Sequence, residues 1–89
     1  MIGGAARRAE ELKAEKALLV KSENDIGRGW QRLRDQENRL LELQADGHDT
    51  KQAERLVELM KETLAEWERH HVMIAERIAY LESVPPNAE

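Results

Sequence analysis

A chain of 89 residues has room for one small domain, and 36% charged against 3% aromatic residues, on a background of Ala, Glu, Leu, Arg and Lys, is the composition of long helices. The lack of cysteine excludes a disulfide framework and thiolate metal sites, and the net charge of −4, with basic and acidic residues interspersed, argues against a phosphate-tracking surface. The longest apolar run, Ala17-Leu18-Leu19-Val20, is far short of the ~20 residues a membrane span needs, and Met1 to Arg8 has neither the apolar core nor the cleavage pattern of a secretory signal, so the expected address is the cytoplasm.

Met1-Ile2-Gly3-Gly4 is a poor helix start, and residues 1–4 are expected to be a flexible end. From about residue 5, Leu12, Leu19, Ile26, Leu33 and Leu40 recur every seven positions, which keeps one helical stripe facing a partner helix. The column offset by three, Arg8, Glu15, Ser22, Gly29, Gln36 and Leu43, is polar or small, with Trp30 widening the stripe beside Gly29. Asn24, Asp25, Gly27 and Gly29 weaken the helix locally. The apolar column nonetheless passes from Leu19 through Ile26 to Leu33 in unbroken phase, which favours one continuous helix, straight or bent, over a break. Gly29 then acts as a packing notch, with Trp30 or Trp67 as the groups to fill it.

A turn is predicted at 46–49. Gly47 supplies the left-handed conformation that ends the first helix, and Asp49 with Gln52 forms a capping-box pattern that opens the second, near Thr50. The second helix carries two full columns, Val57, Leu64, His71 and Ile78 beside Ala53, Met60, Trp67, Ile74 and Leu81. It is expected to run to about residue 83, where Val84-Pro85-Pro86 stops it and leaves 84–89 as a flexible end. The predicted fold is all-α: a long antiparallel helical hairpin, helix about 5–45 and helix about 50–83, forming a single domain that pairs into a dimeric four-helix bundle or coiled coil. With the turn centred near residue 48, level positions sum to about 96, which places Trp30 beside Trp67 in one core layer, and Glu23 and Asp25 beside His71.

The segment from Ile26 to Leu64, with Gly29, Leu33, Gln36, Leu40 and Leu43 leading into Asp46-Gly47-His48-Asp49-Thr50 and then Ala53 and Leu56, resembles short alphaproteobacterial helical-hairpin proteins that share this turn. The match covers a little under half the chain, and the turn is its most specific part. The resemblance implies a helical hairpin and a bacterial origin. That family has no established activity, so no catalytic residue carries over.

Candidate sites are sparse. Glu68 and His71 stand at the i, i+3 spacing that carboxylate-bridged bundles use for metal, and Glu23 and Asp25 are the acids level with them, but an imidazole hydrogen-bonded to one carboxylate is the reading favoured over a metal site. His48, between Asp46 and Asp49, reads as a turn residue before it reads as a polar handle at the hairpin tip. Ser22, Thr50, Thr63 and Ser83 lack a basic partner for nucleophilic work, so no catalytic residue and no cofactor is assigned. The expected function is a small, non-catalytic interaction or scaffold protein that forms a homodimer through its heptad seams and can engage a further protein partner. The alternatives are an RNA-binding hairpin dimer of ROP type, which Asp35, Glu37 and Glu42 disfavour by diluting Arg28, Arg32, Arg34 and Arg39, and a carboxylate/His metal-binding bundle.

Overall fold

The computed structural model describes residues 2–84 as two antiparallel helices, α1 (Ile2–Ala45) and α2 (Lys51–Ser83), in a rod of 69 × 15 × 15 Å. The expected hairpin is the observed architecture. α1 runs unbroken through Gly27 and Gly29, because the phase of its apolar column is also the phase in which it packs on α2. It begins at Ile2 rather than near residue 5. Gly3 and Gly4 sit in its first turn, carried by the alanine-rich run behind them, since extending an existing helix costs far less than nucleating one. At the other end Val84 is extended, as a residue before proline must be, and residues 85–89 lie outside the described segment.

The turn is a Schellman closure. Gly47 has φ +74°, the His48 N–H donates to the Leu43 carbonyl at 3.0 Å, and the Gly47 N–H donates to the Gln44 carbonyl at 3.2 Å. Two orphan carbonyls of α1 are thereby satisfied, and the chain is committed to reverse. The capping box does not form. Thr50, not Asp49, occupies the N-cap, its carbonyl accepting from the Glu54 N–H at 2.8 Å, so Gln52 stands one position too early to bond back. The Asp49 carboxylate instead accepts from the Lys51 N–H at 3.0 Å and satisfies one of the orphan donors of α2 from outside the helix.

The core is a single layer between the helices. Leu33, Val57 and Leu64 are its centre, flanked by half-buried Leu40, Met60 and Trp67, and Ala53, Ile74, Ile78 and Leu81 continue it along α2. From α1 come half-buried Leu12, Leu19 and Ile26, and Arg8 is buried near the open end. The two helices share the work unevenly. The bulky Met60–Trp67–Ile74 column of α2 lies against the short side chains of α1, Ser22 and Gly29, so large meets small across the seam. Among the described residues no large side chain is fully enclosed, which follows from having only two helices and one contact line.

Candidate functional site

Three places on the rod carry features beyond a plain seam: the Gly29 notch and the groove beside it, the His71 position, and the hairpin tip. The notch is the tightest. A Cβ placed on Gly29 would come within 2.6 Å of Leu64 Cδ2 and 3.2 Å of Trp67 Cζ3, whereas one on Gly27 would meet nothing within 4 Å. Of two glycines two residues apart, one is required by packing. Trp67 fills the notch together with Leu64. Trp30 does not: it lies on the flank of α1 beyond Gly29 and is 41% exposed, so the two indoles share no core layer. The level argument placed Trp30 at the right height, but one helical step of about 100° from Gly29 turns its ring away from α2.

Alongside the notch the helices part into an open groove, with Gly29 and Arg32 on the α1 side and Leu56, Leu59, Met60 and Trp67 on the α2 side. A second depression, which shares Trp67 with the first, lies toward the open end and is lined by Leu18, Lys21, Ser22, Asp25, His70 and Ile74. Leu18, Leu56 and Leu59 are each more than two-fifths exposed. The opposite face has a charged furrow in which Leu41 sits among Glu37, Glu54, Glu58 and Lys61.

At the seam's one imidazole, His71 Nε2 lies 3.6 Å from Glu23 Oε1. The level argument therefore found the right carboxylate. The other candidate, Asp25, is taken by its own helix: Lys21 Nζ donates to it at 2.7 Å, and that bond, reinforced by the charges of Lys21, Arg28 and Arg32, holds its carboxyl below the ordinary value of 3.8. The His71 side chain is 32% exposed and that of Glu23 57%, so this is a wet pair at the seam's edge, not a sealed one. Glu68 is exposed, and among the described residues no three His, Asp or Glu side chains gather where they could share a metal ion. Ion pairs also cross between the helices near the open end, Lys16 with Glu82 and Arg77 with Glu11 and Glu15, all between partly exposed side chains at 3.3–3.6 Å. Such pairs set register more than stability.

At the tip, Asp46, Gly47, His48 and Asp49 are all exposed; the His48 backbone closes the turn while its ring faces solvent. Of the hydroxyls considered as nucleophiles, Thr63 Oγ1 donates to the Leu59 carbonyl at 3.0 Å and Ser83 Oγ to the Tyr80 carbonyl at 2.8 Å, which is how helical Ser and Thr usually satisfy themselves. Arg69 pairs with Glu66 one turn earlier, and Arg34 donates to Gln31 at 2.8 Å. No helix among the described residues is long and apolar enough to cross a membrane. Set against known proteins, the chain matches no family model, no curated protein and no solved structure.

Proposed function

We propose that this protein is a non-catalytic interaction module that works as a homodimer of hairpins, a small cytoplasmic bacterial scaffold of the kind its Asp-Gly-His-Asp-Thr turn resembles. One observation carries the reading: nine large apolar side chains, Leu18, Val20, Trp30, Leu41, Leu56, Leu59, Val72, Met73 and Tyr80, are between 41% and 64% exposed on a chain whose core is one layer thick. Two helices cannot bury more than one stripe each, and a sequence that carries further apolar residues is written for a further surface. The ROP-type alternative is less well supported. Arg28 and Arg32 are near enough to Asp25 to lower its pKa, and Asp35, Glu37 and Glu42 stand among the arginines of α1, so its positive charge is diluted.

Sedimentation equilibrium over a micromolar range tests the proposal. The expected species is twice the 10.3 kDa chain mass, and a helical, cooperatively melting 10.3 kDa monomer throughout would overturn it. Retention on an RNA column at ~0.15 M salt, where exposed charges still act over about 8–10 Å, would favour the alternative.

A further inference from the structure

The two helices keep one register from end to end. Gly29 packs level with Leu64, and the same register sets Leu40 against Ala53, Leu33 against Met60 and Leu12 against Leu81, so each seam column of α1 meets a seam column of α2. That register does not stop at the turn. Continued inward, it sets Leu43 against Thr50 and Asp46 against Gly47. The heptad phase does not stop there either: Gly29, Gln36, Leu43, Thr50, Val57 and Leu64 stand at seven-residue steps, in a column that belongs to the seam of both helices. With residues 46–50 helical, α1 and α2 would join into one helix whose whole seam lies on one side. Such a helix cannot fold back on itself, but it can lie antiparallel on a second copy with every level pair kept.

What holds the chain in its hairpin is local. Gly47 has φ +74°, and among the described residues no other φ is positive. Space is not the reason for a glycine here, since a Cβ on Gly47 would meet nothing within 4 Å. The reason is the left-handed backbone, which disfavours L side chains other than asparagine and aspartate. Asp46, His48, Asp49 and Thr50 are weak helix formers, so the hairpin, which needs no second copy, is the form favoured at low concentration.

We infer that residues 46–50 are a hinge through which two copies of this chain exchange α2. In the exchanged dimer α1 of each copy packs on α2 of the other, about a two-fold axis between Asp46 and Gly47. The surfaces that meet are the seams already described, and the hairpin itself shows what covers each of them. The ion pairs Lys16–Glu82 and Arg77–Glu11 re-form between copies. What changes is the shape. The hairpin is a rod of 69 Å with the start of α1 and the end of α2 together at one end. The exchanged dimer is a rod of about 120 Å with such a pair of chain ends at each of its own ends. A single-ended module thereby becomes a double-ended one, with no contact between the helices lost.

The chain has no cysteine, so two placed by mutation take labels at known sites. Asn38 and Lys61 are exposed and line one furrow. Spin labels on Asn38→Cys/Lys61→Cys, in chains refolded with an excess of unlabelled chain, read the path of a single copy. They lie within about 20 Å of each other in the hairpin and about 35 Å apart along the joined helix, at ~1.5 Å per residue. In the native chain the long distance is expected to grow with the concentration at which it is refolded. Gly47→Ala strains the turn and favours the joined helix, which raises the constant for exchanged dimerisation roughly a thousandfold. It is expected to show the long distance at micromolar concentration, with twice the 10.3 kDa chain mass in sedimentation and its helicity retained. Gly47→Asn, which tolerates the left-handed turn, is expected to keep the short distance there. A short distance in Gly47→Ala at every concentration, a loss of its helicity, or a Gly47→Asn chain that opens as readily would overturn the hinge. Hairpins paired face to face keep the short distance, so the self-association proposed above stands or falls separately.

Discussion

The sharpest test of the packing is a pair of identical substitutions two residues apart. Gly27→Ala and Gly29→Ala each remove a helix-interior glycine, and each gains about 0.5–1 kcal/mol from the lower conformational freedom of the unfolded chain. At residue 27 nothing opposes the gain, because the new methyl group meets no atom within 4 Å. At residue 29 it arrives 2.6 Å from Leu64 Cδ2, and Leu64 is 3% exposed, so its side chain must leave a filled position or the helices must separate. Overpacking of this kind costs about 1–3 kcal/mol. Net of propensity, Gly29→Ala is expected to destabilise by about 1 kcal/mol and Gly27→Ala to stabilise by a little under that. In a domain of this size a difference of about 1.5–2 kcal/mol corresponds to roughly 6–16 °C in Tm. Urea melts followed by circular dichroism, at one fixed chain concentration so that mass action is held constant, give the comparison. If both substitutions stabilise by the same amount, Gly29 is not a notch, and the assignment of Leu64 and Trp67 to its space is wrong.

His71→Leu is expected to raise stability by about 0.5–1.5 kcal/mol, because it completes the Val57–Leu64–Ile78 column in place of a half-buried imidazole; a loss in urea melts would show the Glu23 contact to be worth more than its wet geometry implies. Glu23→Ala should change stability by less than ~0.5 kcal/mol, since water reaches His71 once the carboxylate is gone. The Asp25 carboxyl titrates lower in the folded chain than its ordinary 3.8, so its bond to Lys21 favours the fold at all pH values above that range and the contribution disappears as pH falls through the lowered value; in Lys21→Met, carboxyl NMR titration should find Asp25 moved up toward 3.8, and an unmoved titration would refute the assignment. Zinc added to chelator-treated protein is expected to leave the melting curve unchanged, and a rise in Tm that His71→Leu abolishes would restore the metal reading.

The fold was legible because its signals are periodic. Five apolar residues at seven-residue steps survive any local objection, which is why the glycines and the Asn24-Asp25 pair did not break α1. The turn was legible for a different reason: a glycine between two helical patterns has few other uses, and Gly47 has the positive φ that this use demands. What failed was finer than one helical step. The spacing of Asp49 and Gln52 is that of a capping box, but the backbone makes Thr50 the cap, and three residues on from Thr50 stands Ala53, which has no polar side chain to bond back. Trp30 misled because height along a hairpin can be read by counting, whereas the direction of a side chain adjoining the seam depends on angle. The exposed apolar residues of α2 are harder to read from the sequence. Glu66 interrupts the column of Leu59, Met73 and Tyr80, and a pattern with an acid in it reads as solvated surface until its neighbours are seen to line a groove.

The Schellman turn also sets the order in which this molecule can assemble. In a hairpin every contact between the helices joins residues on opposite sides of one reversal, so sequence separation grows steadily with distance from it: Gly29 meets Leu64 across 35 residues, and Glu11 meets Arg77 across 66. The loop-closure cost is smallest at the tip, and each layer formed shortens the loop that the next must close. The chain therefore zips from Gly47 outward through Leu40, Leu33 and Leu64, and the ion pairs of the open end are the last contacts made and the first lost. Disruption of the turn acts on the rate of folding, whereas loss of Arg77 or Lys16 acts on the rate of unfolding.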